Sequence, residues 1–310
     1  MELLRKNVFG YSSVGSLLCT GKRVPQAKVD AYIAQALECL GVGPTEPIPR
    51  AGQRGDGWRV PHTFVVTTVK EVRAGDENDW WSPFIVSNYE VRHDRASGGS
   101  AAGSNTWPTK QACLGTAAAP TYFAPVVMDG VVHVDGGLNA NNPCLHALYE
   151  ASSIWPGRPV GCVLSLGTGK VSAGMNNTSS GVLYWAGQLA SIATNSYRSH
   201  QEVIRFLNQY QHAPSSPYAS TSYFRFDPAG AGDTAMDESS VERLAAMRVL
   251  TRDYMEANSA QANQLALRLL QITRADELSA DMARLFSSQA KPEEVVAALA
   301  LLRGGMRGAT

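Results

Sequence analysis

Hydrophobic positions change their spacing several times along the chain, and each change marks an element. Val29, Ile33, Ala36, Leu37 and Leu40 recur at the three- and four-residue intervals that line one face of an α-helix, and Gly41 and Gly43 close the pattern. Residues 1–43 are therefore expected to be mostly helical. The next stretch, 44–57, sets Pro44, Pro47 and Pro49 among glycines, a composition that predicts an exposed loop. After Pro61 the run from His62 to Val69 is dense in β-branched residues and predicts a buried strand. A polar turn at 75–79 leads to a second strand over 84–91. Residues 96–105 are almost entirely Ser, Gly and Ala, which cannot pack a core and predict a flexible loop.

Beyond Trp107 the pattern tightens. Thr109 to Ala119 is a run of small residues suited to a helix packed closely on a neighbour, and Pro120 stops it. Val126 to Val134 predicts two short strands around Asp129-Gly130, the dipeptide that tolerates the positive φ angles of a type I′ turn. The chain then enters Asp135-Gly-Gly-Leu-Asn-Ala-Asn-Asn-Pro143, where Asn142 can cap a helix that Pro143 opens. A buried strand from Val160 to Leu166 ends in Gly167-Thr168-Gly169. Helical patterning follows over 182–207, a short strand over 223–226, and amphipathic helices over 241–270 and 292–302. Strands alternating with helices predict an α/β fold, a three-layer sandwich with a largely parallel central sheet. No internal repeat is visible.

Composition narrows the function classes. At 310 residues with 44% hydrophobic and 17% charged content, the chain can bury a sizeable core, which excludes global disorder. Twenty-seven basic residues balance twenty-seven acidic ones, and no local basic patch stands out, so no nucleic-acid partner is expected. The longest apolar run, Val295 to Leu302, is far short of the about 20 residues a transmembrane helix needs. Met1 to Gly10 carries Glu2, Arg5 and Lys6 and lacks the apolar core of a secretory signal. The expected location is therefore cytoplasmic or peripheral at a membrane surface. Five cysteines lie far apart with no CxxC, and six histidines form no HExxH, so no metal site is expected.

Asp135 is the first candidate for chemistry. It closes an apolar strand, and the two glycines after it let the backbone bend tightly and let another group approach the carboxylate. An aspartate organising an Asx-turn fits the same residues.

Asp135-Gly136-Gly137 is followed by Asn141-Asn142-Pro143, preceded by Ala117 to Pro125 (AAAPTYFAP) and followed by Leu164 to Lys170 (LSLGTGK). In that order and at that spacing these segments resemble the patatin-like phospholipase family. The resemblance extends to Phe64–Val69, Ser87-Asn88-Tyr89, Tyr223–Pro228 and Met236-Asp237-Glu238, covering roughly residues 60–260. It implies an acyl hydrolase that cleaves ester bonds of phospholipids or acylglycerols at a lipid or membrane surface, without a cofactor. In such an enzyme the serine of a GxSxG elbow attacks the ester carbonyl, an aspartate of a DGG or DGA motif acts as its base, and a glycine-rich loop binds the oxyanion. Asp135 matches that base.

The chain departs from the family upstream of Asp135. No serine stands in a complete GxSxG frame, and no GGGxRG-type loop is present. Ser13, in Tyr11-Ser-Ser-Val-Gly-Ser-Leu-Leu18, imitates the elbow but has Tyr11 where the first glycine belongs. Ser100 follows glycines in the small-residue stretch without a strand before it, and Ser165 belongs to the family's own LSLGTG segment. Gly167-Thr-Gly-Lys170 lacks the first glycine and the hydroxyl of a phosphate loop. Ser13 thus remains the candidate nucleophile. The alignment expects the N-terminal strand and elbow region to be missing, with 1–240 a partial patatin-like domain and 241–310 a helical segment. On that expectation the chain is a truncated or inactive hydrolase; the alternative is a non-catalytic lipid- or protein-binding module.

Overall fold

The computed structural model describes residues 24–53, 59–71, 80–90, 102–170, 196–213, 215–234 and 238–273. The expected elements over 1–23 and 292–302, together with Ser13 and Ser100, lie outside them. The chain divides into two compact units: residues 1–156, 175–203 and 236–239 form one, and 157–174, 204–235 and 240–310 the other.

In the first unit a five-stranded sheet is flanked by helices. The elements are α1 (Gln26–Cys39), β1 (Gly52–Gln53), β2 (Arg59–Val60), β3 (Phe64–Glu71), β4 (Trp80–Ser87), β5 (Ala102–Ser104), α2 (Thr109–Thr116), β6 (Val126–Met128), β7 (Val131–Asp135), α3 (Gly137–Ala140) and α4 (Cys144–Ile154). The sheet order is β5-β4-β3-β7-β6, and β1 and β2 pair separately. The central strand β3 is covered on both faces, so its consecutive threonines, Thr67 and Thr68, are both fully buried. Their side chains point to opposite faces. A Cβ placed on Gly115 of α2 would touch the Thr67 methyl, whereas Asn139 of α3 donates to Thr68 Oγ1 on the other side (3.4 Å). The Thr67 face carries a cluster of Val86, Trp107 and Ala112, with Val65, Phe84 and Met128 packed against it.

The α/β class holds, but the direction of pairing in this sheet differs from expectation. β3 pairs antiparallel with β4 and with β7, β6 pairs antiparallel with β7, and only β4–β5 is parallel. The cause is connection length. Residues 72–79 join β3 to β4 and Asp129-Gly130 joins β6 to β7, and neither is long enough for the crossover that parallel neighbours require. A second difference falls in the small-residue stretch. Ala102–Ser104 is not a loop but a short edge strand, in parallel register with Phe84–Val86. With so little side chain, its order comes from backbone pairing.

Several local expectations hold. Helix α1 ends where predicted, at Gly41, which takes φ 69° and donates to Glu38 O. Val24 and Val29 form a cluster with Tyr32, Ile33, Leu114 and Phe123, which fixes α1 against α2.

The second unit holds β8 (Cys162–Leu166) and β9 (Ser222–Phe226), paired in parallel from Cys162↔Ser222 to Leu166↔Phe226. Helices α6 (Val241–Ala257) and α7 (Ser259–Thr273) replace the expected continuous helical stretch, interrupted at Asn258. Ser240 caps α6 by accepting from Arg243 N. Arg268 of α7 reaches back to Gly161 O and Ser220 O (3.1 and 2.6 Å), holding the entrances of both strands. Helix α5 (Ser196–Gln211) runs through the boundary between the two stretches of chain.

Candidate active site

The candidate site is built on a hairpin. Asp129 and Gly130 both take left-handed φ (52° and 75°), the signature of the type I′ turn. The turn sets β7 antiparallel to β6 and brings Asp135, its last residue, opposite Thr67 of β3. Two further backbone bonds anchor the strand end: Asp135 N donates to Ala118 O (3.1 Å) and Gly136 N to Thr116 O (3.4 Å). Thr116 in turn donates its hydroxyl to Val66 O (2.7 Å). The AAAP segment after α2 therefore serves as a backbone clamp on the Asp135 strand end.

The two glycines have different physical reasons. A Cβ on Gly136 would overlap the Val66 carbonyl, so only glycine lets β7 leave the sheet this close to β3. Gly137 N donates to Asp135 Oδ1 at 2.6 Å, and a Cβ on Gly137 would sit 2.9 Å from that same oxygen. Among the described residues Gly137 is the hydrogen-bond donor to this carboxylate, so Oδ1 is fixed while Oδ2 stays available. Burial pushes the Asp135 carboxyl above its ordinary value, and the Gly137 hydrogen bond opposes that shift. Such a carboxylate is oriented, partly desolvated and hungry for a proton, which suits a general base.

The rest of the loop turns the chain into α4. Asn141 is exposed and Asn142 is buried. Asn142 Oδ1 accepts from Cys144 N (3.3 Å), but the helix begins at Cys144 with Pro143 at its N-cap position, so Asn142 stands one residue before the cap and Pro143 just before the first turn, each a position earlier than expected. Helix α4 is pinned by Glu150, which accepts from Tyr89 Oη at 3.0 Å in the interior. Burial, with the Glu150 charge and hydrogen bond adding to it, pushes the Tyr89 hydroxyl well above its ordinary value.

One residue near the site escaped sequence reasoning. His133 lies two positions before Asp135 on the same face of β7, buried against the rings of Phe84 and Trp107 (centroids 4.9 and 4.5 Å). Its Nδ1 meets Thr67 Oγ1 at 2.9 Å. Burial pushes the imidazole down to about 4, against a weaker opposing pull from Asp129. The ring is therefore neutral near pH 7. Its only sequence signal was a polar residue interrupting an apolar strand.

Ser165, the remaining serine candidate, stands in β8 of the second unit, where its Oγ accepts from Arg225 Nη1 at 2.6 Å. Among the described residues no group of His, Cys, Asp and Glu could hold a metal ion, and no helix is long and apolar enough to cross a membrane.

No protein-family model matches the chain. Curated relatives do. Mouse calcium-independent phospholipase A2-gamma is 31% identical over 190 residues, 61% of this chain and 23% of the relative. Phospholipase A I of Arabidopsis thaliana is 30% identical over 139 residues, 36% of this chain and 10% of the relative. Patatin-like phospholipase 1 of Plasmodium falciparum is 27% identical over 195 residues, 56% of this chain and 27% of the relative. The chain is thus homologous to patatin-like phospholipases and spans about a quarter or less of the length of these relatives.

Proposed function

We propose that this chain, a homologue of curated patatin-like phospholipases, carries the base-bearing part of a lipid acyl hydrolase site, with Asp135 as the general base. The observation that carries the reading is the partly buried carboxylate held by Gly137 at Oδ1 and, among the described residues, without a donor at Oδ2. In the reaction a serine hydroxyl gives its proton to Asp135 Oδ2 while its oxygen bonds to the carbonyl carbon of a phospholipid or acylglycerol ester. The protonated aspartate then returns the proton to the departing alcohol, leaving an acyl-serine. Water gives a proton to the same carboxylate as it attacks the acyl carbon, and the aspartate passes that proton to the serine oxygen as the acyl–oxygen bond breaks and the fatty acid is released.

Within this sequence Ser13 is the candidate nucleophile, and Tyr11 in place of the elbow's first glycine weakens it. Lacking a nucleophile costs on the order of a million-fold in turnover. The chain by itself is accordingly a weak or inactive esterase whose partner is a lipid surface. We assign the patatin-like part to 1–240 and a helical appendage to 241–310.

The test is hydrolysis of a short-chain p-nitrophenyl ester and of phosphatidylcholine vesicles by the wild-type chain, Asp135→Ala and Ser13→Ala. Background turnover in all three is the expected result. Turnover lost in both variants would overturn the inactivity and make Ser13 the nucleophile. Turnover that survives Asp135→Ala would remove Asp135 from the base role.

A further inference from the structure

His133 breaks the pattern of the face it sits on. Val65, Phe84, Val86, Trp107, Ala112 and Met128 make that face apolar, yet an imidazole is packed there, 2% exposed, with the Phe84 and Trp107 rings 4.9 and 4.5 Å away. A buried polar ring where an apolar one would pack costs stability, and such departures from the local rule gather at functional sites. Two positions further along β7, on the same face, stands Asp135.

Thr67 links the two. The register sets it directly opposite Asp135, with Val69 opposite His133. Directly opposed residues carry their Cβ atoms about 4.5–5.5 Å apart, whereas diagonal neighbours, as Thr67 and His133 are, stand roughly 7 Å apart. The Thr67 hydroxyl nevertheless bonds the diagonal neighbour, with 2.9 Å between Oγ1 and His133 Nδ1. Thr67 is fully buried, so its one hydroxyl hydrogen needs an acceptor, and Nδ1 is the partner it has among the described residues. Nδ1 is therefore the acceptor, and Nε2 carries the ring proton. A hydroxyl given instead to a carboxylate would stabilise the ionised form and make it a weaker base.

We propose that His133 is a positioning residue for Asp135: by accepting the Thr67 hydroxyl it keeps that donor off the carboxylate opposite, which stays free to take a proton from a nucleophile. The inference rests on the reading of Asp135 as the general base. Burial and the Gly137 hydrogen bond act on that carboxyl, and the neutral imidazole adds no charge of its own. What His133 supplies is an acceptor rather than a field.

The test is the titration of Asp135 in the full chain, followed by the NMR signal of its carboxyl carbon, identified as the one lost in Asp135→Asn. His133→Phe keeps a ring between Phe84 and Trp107 but removes the acceptor, and its Asp135 midpoint is expected about one pH unit below that of the wild type. Thr67→Val and the double variant Thr67→Val/His133→Phe have no hydroxyl to redirect and are expected to titrate as the wild type does. A midpoint unmoved in His133→Phe, or moved equally in the double variant as altered packing alone would do, overturns the proposal. So does a raised midpoint in Thr67→Val, which would mean that the hydroxyl already serves Asp135. Should His133→Phe fail to fold, the ring-nitrogen NMR shifts of the wild type decide: a protonated Nε2 with a bare Nδ1 supports the proposal, and a protonated Nδ1 overturns it. The titration needs no turnover, so ester hydrolysis that survives Asp135→Ala would strike the base reading separately and leave the measured hydrogen-bond arrangement standing.

Discussion

Thr67 and His133 meet across β3 and β7 with 2.9 Å between Oγ1 and Nδ1, inside a wall formed by Phe84 and Trp107. The contact joins the central strand to the strand that ends in the candidate base, and it requires an unprotonated Nδ1 if the threonine donates. Its pH dependence follows from the direction of the histidine shift. The unfolded chain takes up a proton near the ordinary value of 6.5, but the folded protein resists until about 4. Stability is therefore unaffected by this group above that range, falls as pH drops from 6.5 to about 4, and levels off below, for a loss of at most roughly 3 kcal/mol. Chemical denaturation of wild type and His133→Gln between pH 7 and 4 measures it: the variant should lose less stability over that interval. Equal slopes would mean that the imidazole is not excluded from water.

Asp135 is expected to trade stability for chemistry. Because burial raises its carboxyl above the ordinary value, ionisation is easier in the unfolded chain than in the folded one, and the charged form costs stability at neutral pH. Asp135→Asn keeps an oxygen for the Gly137 N–H and removes the charge. The variant should melt higher than wild type at pH 7, and the difference should shrink as pH falls through the carboxylate range, where both are neutral. A lower melting temperature for Asp135→Asn at pH 7 would show that the charge is needed for the fold rather than tolerated by it.

Much of this site could be read before the fold was known, because its determinants are local. Asp129-Gly130 specifies its turn by itself, Gly41 ends α1 by itself, and Asp135-Gly136-Gly137 carries its own bend. What could not be read depends on distant partners. Nothing near His133 in sequence announces Trp107, Phe84 or Thr67, so its neutral, buried state was hidden. Strand direction is likewise a property of pairs: Phe64–Glu71 looks like a buried strand of either kind, and the short link to β4 decides that it is antiparallel. Ala102–Ser104 failed for a related reason, since its composition predicts a loop and only Phe84–Val86 makes it a strand.

The two glycines at 130 and 136 should respond differently to alanine. At Gly130 a Cβ meets nothing within 4 Å, so Gly130→Ala should cost only the left-handed backbone conformation, about 1–2 kcal/mol. At Gly136 the obstacle is the Val66 carbonyl in the sheet, which no rotamer can relieve. Gly136→Ala should therefore reach or exceed the usual overpacking loss of about 1–3 kcal/mol and displace Asp135 as well. Urea denaturation of the two variants compares the losses. A larger loss at position 130 would contradict the close approach of β7 to β3.

In the second unit the buried pair of Arg225 and Asp227 (2.7 Å) holds the end of β9 against the Gly167–Gly169 turn. Arg225 also donates to Ser165 Oγ (2.6 Å), while Asp227 Oδ1 accepts from Gly169 N (3.0 Å) and lies where a Gly167 Cβ would have to go. Because both side chains are almost wholly removed from water, removing one leaves the other charge without its counterion. Asp227→Ala and Arg225→Met should each cost about 3–5 kcal/mol. The double variant Arg225→Met/Asp227→Ala leaves no such charge, and its loss should be smaller than the sum of the single losses by several-fold more than the usual error of additivity, about 0.3–0.5 kcal/mol. A thermodynamic cycle by denaturant melts reads that coupling directly. Additive losses would mean that the guanidinium and carboxylate are held independently by their other partners, and the turn would then owe its shape to the backbone alone.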